Sequence, residues 1–140
     1  MDADAAPRRA FLDGAAAPSS LGTAAWTAQE WLHFINGLPA DISPSRLKEL
    51  DVAFDLTNSR NAEIAFAWQM KAIGAGYAPA MPAVENFLTH VGRGKFIYPL
   101  YRALKEKGEL ATAERIFETA KAGYHPIAQR RVADILQAQN

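Results

Sequence analysis

The sequence predicts an all-α protein of about seven helices arranged in antiparallel pairs. Apolar residues recur at three- and four-residue spacing from Trp26 onward, and Gly or Pro interrupts that pattern at short intervals. The chain also holds 28 alanines, the residue with the strongest intrinsic helix preference. No alternating apolar run long enough for a strand competes with this pattern.

The elements follow in order. Residues 1–25 contain Ala15-Ala16-Ala17-Pro18-Ser19-Ser20 and Leu21-Gly22-Thr23, small and poor in large apolar groups, and read as a flexible linker in which only Phe11 and Leu12 could dock. Residues 26–140 form the helical domain. Thr27 and Glu30 match a capping box, in which each side chain satisfies the other residue's backbone N–H. Trp31, Leu32, Ile35 and Leu38 follow, and Gly37 and Pro39 end the helix. Ser43-Pro44 opens a second helix with Leu47, Leu50 and Phe54 on one face, proline taking the first position where its missing N–H costs nothing. A third runs from about Asn61 to Ile73, turning Ile64, Ala67, Trp68 and Ala72 inward and stopping at Gly74 and Gly76. A fourth opens at Met81-Pro82 and carries Val84, Phe87, Leu88 and Val91 to Gly92. The fifth is expected from Pro99 to Lys107 with Leu100 and Leu104 inward, and the sixth from Leu110 to Ala122 with Ala113, Phe117 and Ala120. The seventh starts at Pro126, positioned by His125, and uses Ile127, Ile135 and Leu136. Such pairs can close into a bundle or stack as an α-solenoid.

Composition narrows the chemistry. Fifteen Lys+Arg balance 15 Asp+Glu, so there is no overall positive field to grip nucleic acid or acidic lipid. No stretch approaches the roughly 20 apolar residues of a membrane-spanning helix. The acidic-then-basic N-terminus does not read as a signal peptide, so a cytoplasmic protein is expected. With no Cys there is no disulfide, thiolate nucleophile or Cys-ligated metal. His33, His90 and His125 lie far apart and form no H-E-x-x-H pair, and no G-x-S-x-G elbow is present. Metal ligands and catalytic residues are therefore expected to be none on this chain. Glu63, in the first turn of the third helix, is explained by the helix dipole.

Gly92-Arg93-Gly94-Lys95-Phe96 is the segment that suggests chemistry. Two cations stand between glycines, in what reads as a connection between helices. They are either solvated charges on a flexible turn or a site for one small anion. The segment is not a phosphate-binding G-x-x-x-x-G-K-[ST] loop, since Phe96 follows the lysine and no strand precedes it. A carboxylate suits it better, because Arg offers a planar two-donor fork and Lys a mobile point charge.

Three blocks, in order, resemble the leukotriene A4 hydrolase C-terminal domain of the M1 zinc aminopeptidases. Asp55 to Trp68 resembles its N-x-E-I-x-x-x-W stretch. Gly92 to Phe96, with Pro99-Leu100-Tyr101 after it, resembles G-R-x-K-F-x-x-P-L. Tyr124-His125-Pro126-Ile127-Ala128 resembles the closing H-P-[IV]. The resemblance covers about Trp26 to Leu136. It implies an α-solenoid, an ARM/HEAT-like superhelix, that walls the substrate cleft. It also implies that Arg93 and Lys95 bind the carboxylate end of a peptide or lipid substrate. The zinc cofactor and its H-E-x-x-H motif belong to a separate catalytic domain, the expected partner, of which residues 1–25 would be the junction. Two further expectations stand beside this one: a free-standing helical adaptor for a protein partner, and a carboxylate-binding domain without catalysis.

Overall fold

The computed structural model describes residues 27–39 and 41–138. The expected linker over residues 1–25 lies outside the described residues. Among the described residues the fold is all-helical, with seven α-helices and no strand. The helices are α1 (Ala28–Asn36), α2 (Pro44–Phe54), α3 (Ala62–Ala75), α4 (Met81–His90), α5 (Gly94–Glu106), α6 (Leu110–Ala120) and α7 (Pro126–Gln137). Short 3₁₀ turns fall at Leu56–Asn58, Ala78–Ala80 and Lys121–Gly123. None of these helices is long and apolar enough to cross a membrane. The chain divides into two compact units, one ending at Tyr77 and the other beginning at Ala78.

In the first unit the caps follow the sequence closely. Glu30 N–H donates to Thr27 Oγ1 and Thr27 N–H donates to Glu30 Oε1, each at 3.2 Å, completing the capping box of α1. Ser43 Oγ accepts from Arg46 N at the start of α2, and Asn61 Oδ1 accepts from Ile64 N at the start of α3. α3 does not stop at Gly74 as the sequence suggests. It continues to Ala75 and ends at Gly76, whose φ of 75° is the left-handed geometry that glycine adopts without a Cβ penalty.

α1 packs on α3, and α2 lies against α3 with the turn after it. Phe34, Ile35, Leu47, Leu50 and Trp68 are fully buried between them. Trp31, half-buried on α1, sits edge-on to Phe54 at the end of α2, with ring centroids 5.0 Å apart. Polar groups at the rim of this core are satisfied by one another. Asp51 accepts from Thr57 N (2.9 Å), Thr57 Oγ1 (2.6 Å) and the Tyr77 hydroxyl (2.8 Å), tying α2 to the end of α3. Lys71 donates to the Leu38 carbonyl at 2.7 Å, and burial holds its pKa below the ordinary lysine value.

In the second unit α4 packs on α6 and α5 on α7, so each helix meets the second one along the chain, while α5 also touches α6. Val84, Leu88, Ile97, Leu100, Tyr101, Leu104, Ala113 and Val132 are fully excluded from solvent. Two buried hydroxyls complete this core. Tyr124 donates to the Leu88 carbonyl, and Tyr101 and Tyr124 share a bond of 3.0 Å. Burial pushes both phenols above their ordinary pKa.

Three expectations change here. α5 begins at Gly94, five residues before Pro99, and carries the proline inside it. α6 ends at Ala120 and passes into a 3₁₀ turn. α7 turns Ala128, Val132 and Leu136 inward and leaves Ile127 65% exposed. The reason lies in the cap. Ile127 sits in the first turn, where His125 Nδ1 accepts its N–H at 3.2 Å, and the inward stripe starts one residue later. His125 thus positions the last helix as expected.

Candidate anion site at the start of α5

The sequence from Phe96 onward places Phe96, Ile97, Leu100, Tyr101 and Leu104 on one helical stripe, and all five are buried. Burying that stripe draws the helix back through Lys95 and Gly94, so Lys95 stands in its first turn and Arg93 at its N-cap, not in a flexible loop. α4 ends at His90, Val91 is extended, and Arg93 is the N-cap of α5 with φ −78° and ψ 120°. The Arg93 carbonyl accepts from Phe96 N (3.0 Å) and Ile97 N (3.1 Å). The Arg93 side chain makes no capping bond.

Phe96 is the fixed point of the site. It is 3% exposed and meets Phe87 of α4 edge-on, with centroids 5.8 Å apart. The Arg93 guanidinium carbon lies 5.9 Å from the centre of this ring, and Lys95 Nζ lies 5.2 Å from it. The electron-rich faces of an aromatic ring attract cations, so one buried ring holds two positive groups that would otherwise repel each other.

The placement runs against helix electrostatics. The N-terminus of a helix carries partial positive charge and favours acidic residues, yet the first turn of α5 has none. Two cations there cost folding stability. They also add positive charge to a helix start that is already electropositive through its backbone N–H groups.

Tyr98 and Arg131 were not singled out by the sequence. A Cβ placed on Gly94 would lie 2.5 Å from Tyr98 Cε2 and 2.8 Å from its Cζ, so the ring rests directly on the glycine backbone. Arg131 of α7 stands over the same ring, its guanidinium carbon 5.7 Å from the centre. A glycine at the first helical position with an aromatic four residues later was the available signal, since i and i+4 share a helix face.

The "Leukotriene A4 hydrolase, C-terminal" family model matches residues 26–136. The chain belongs to this family. It is a C-terminal domain of the M1 aminopeptidase type. It is 35% identical over 115 residues to Leucine aminopeptidase 2 of Pyricularia oryzae, covering 80% of this chain and 19% of that protein. It is 34% identical over 118 residues to Leucine aminopeptidase 2 of Neurospora crassa, covering 82% of this chain and 18% of that one. Leukotriene A-4 hydrolase of Xenopus laevis is 32% identical over 91 residues, covering 64% and 15%. The chain thus spans about a fifth or less of the length of these curated relatives.

Among the described residues the zinc associated with this enzyme family does not find a donor set. Among the described residues no group of three or more His, Cys, Asp or Glu side chains could hold a metal ion. His90 is used locally, its Nδ1–H pointing at the Asn86 carbonyl 2.8 Å away, and His125 caps α7. Glu63 stands in the first turn of α3, where the helix dipole accounts for it. No chemical step is therefore routed through a metal on these residues.

Proposed function

We propose that this chain is the C-terminal helical domain of an M1 zinc aminopeptidase, residues 26–140 walling one side of the substrate cleft. In this reading Arg93 and Lys95 hold the carboxylate end of the substrate. The observation that carries it is the presence of two cations over one buried ring, in a helical turn where they oppose stability. Such a local conflict is expected where binding needs it. A peptide carboxylate would accept two N–H bonds from the Arg93 fork and one from Lys95, and would neutralise the turn.

The packing of each helix on the second one along the chain, seen in the second unit, supports antiparallel pairs stacked as a superhelix. The domain would act in a soluble, cytoplasmic enzyme beside a separate catalytic domain. That domain holds the zinc, which when bound supplies an activated water for hydrolysis. Arg93 and Lys95 would set the distance between the carboxyl terminus and the bond to be cleaved, so that part of the rate comes from orientation.

The test is kinetic. In the full-length aminopeptidase carrying this domain, Arg93→Ala should lower kcat/KM on a tripeptide with a free carboxylate by about 10-fold or more, the range for a hydrogen bond to a charged group. The corresponding tripeptide amide should be cleaved nearly as before. Equal losses on both substrates would contradict the anchor.

A further inference from the structure

We propose that His125 is a proton-operated cap, which closes the first turn of α7 at neutral pH and releases it in mild acid. The inference is independent of the anchor reading above.

The first N–H groups of a helix have no partner within it, and an acceptor side chain at the N-cap satisfies one of them. His125 fills that position in α7, with φ −58° and ψ 145°, and its Nδ1 accepts from Ile127 N at 3.2 Å. A ring nitrogen accepts only while it carries no proton, so this bond requires a neutral imidazole with its hydrogen on Nε2. Ser, Thr and Asn caps keep their acceptor oxygen at any ordinary pH, whereas histidine changes charge between about pH 5 and pH 8. Gaining the proton has two effects here. It turns the acceptor into a donor that faces another donor, and it sets a cation at the positive end of the helix dipole. Both oppose the cap.

Among the described residues no acid is paired with His125 to offset that charge. Of the charged groups on the elements packed around α7, Glu118 of α6 pairs with Lys121 of the 3₁₀ turn at 2.9 Å, and Arg115 of α6 pairs with Glu85 of α4 at 2.6 Å. Lys105 of α5 donates to the Ile135 and Ala138 carbonyls at the other end of α7, and Arg131 of α7 stands over Tyr98. Arg102, Glu106, Glu114, Arg130 and Asp134 are exposed to solvent. His90 has the opposite arrangement, its Nδ1 2.8 Å from the Asn86 carbonyl at the C-terminal end of α4, where a proton is retained and a cation is favoured. Acid therefore acts on the start of α7, and the opening stays local. The His125 carbonyl still accepts from Gln129 N at 2.9 Å, Gln129 Nε2 still donates to the Lys121 carbonyl at 2.7 Å, and Ala128 and Val132 remain buried. What is freed is the turn that carries exposed Ile127.

The experiment follows hydrogen exchange of the Ile127 amide by NMR at about pH 8 and about pH 5, the limits of ordinary histidine titration. Each rate is divided by that of an unstructured peptide at the same pH, which leaves the protection due to structure. The parent chain, His125→Asn and His125→Ala are compared. In the parent, protection should fall about 5-fold on acidification, the size expected for loss of one N-cap acceptor. His125→Asn carries an acceptor oxygen that does not titrate, so its protection should be the same at both pH values. His125→Ala should lack protection at both. Parent protection that does not change with pH, or that falls by the same factor in His125→Asn, would overturn the switch. So would a His125→Ala chain protected like the parent at the higher pH, since the imidazole would then not be what closes the turn.

Discussion

The Tyr98 ring lies on the backbone of Gly94 so closely that a methyl group there would come within 2.5 Å of it. The atoms in the way belong to the far end of one side chain, which can swing aside. Gly94→Ala should therefore alter stability by less than about 1 kcal/mol, since alanine's helix preference offsets the displaced ring. Combined with Tyr98→Ala, where no ring obstructs it, the same substitution should stabilise. Urea denaturation of the single and double variants measures both. A large loss from Gly94→Ala alone would show that the ring cannot move.

Lys95 sits where helix electrostatics favours an acid. Lys95→Glu should raise Tm by a few degrees at low ionic strength, with a smaller rise in high salt, because a negative charge then meets the helix N-terminus. The same substitution should abolish binding of a carboxylate ligand. Thermal melts at two salt concentrations check the first part, and a titration checks the second. A fall in Tm would remove the argument that this turn trades stability for binding.

Thr57 links Asp51 and Trp68 through one hydroxyl. Its hydroxyl donates to Asp51 at 2.6 Å and accepts from Trp68 Nε1 at 3.0 Å, and Trp68 is fully buried. Thr57→Val preserves the shape and strands the indole N–H, which should cost about 1–3 kcal/mol. Denaturation midpoints measure it. Thr57→Ser keeps the hydroxyl and should recover most of the loss.

Tyr77 makes stability fall at high pH. Burial, followed by its hydrogen bond to Asp51 and the charge there, pushes its pKa up from 10.0 to about 12. Between those values the unfolded chain has lost the phenolic proton and the folded chain has kept it, so raising pH favours unfolding. The contribution is fully present below pH 10 and is lost as pH rises through about 12. Tyr77→Phe should flatten that part of the stability profile, as followed by circular dichroism against pH. Buried Tyr101 and Tyr124, also raised, add a decline in the same direction that survives the substitution.

Much of this was written locally in the chain. The Thr27–Glu30 box, the Ser43-Pro44 start and the His125-Pro126 start depend on neighbouring residues alone, and each forms as the sequence suggests. The beginning of α5 did not follow local rules. Gly94 and Pro99 both disfavour a helix interior, and a proline normally marks a first turn, so the residues before it read as a loop. Burial of Phe96 and Ile97 with Leu100, Tyr101 and Leu104 outweighs those preferences and carries the helix back to Gly94. The same effect explains the site. The two cations were visible in the sequence, but their approach to the Phe96 ring, and Tyr98 on Gly94, exist only once that turn is helical.

The most direct measurement is a backbone-amide NMR titration of the chain with trialanine and with trialanine amide. If the start of α5 is a carboxylate anchor, trialanine shifts the amides of Gly94, Lys95 and Phe96, and the amide form leaves them in place. Shifts of equal size from both peptides, or shifts confined to other helices, would contradict it.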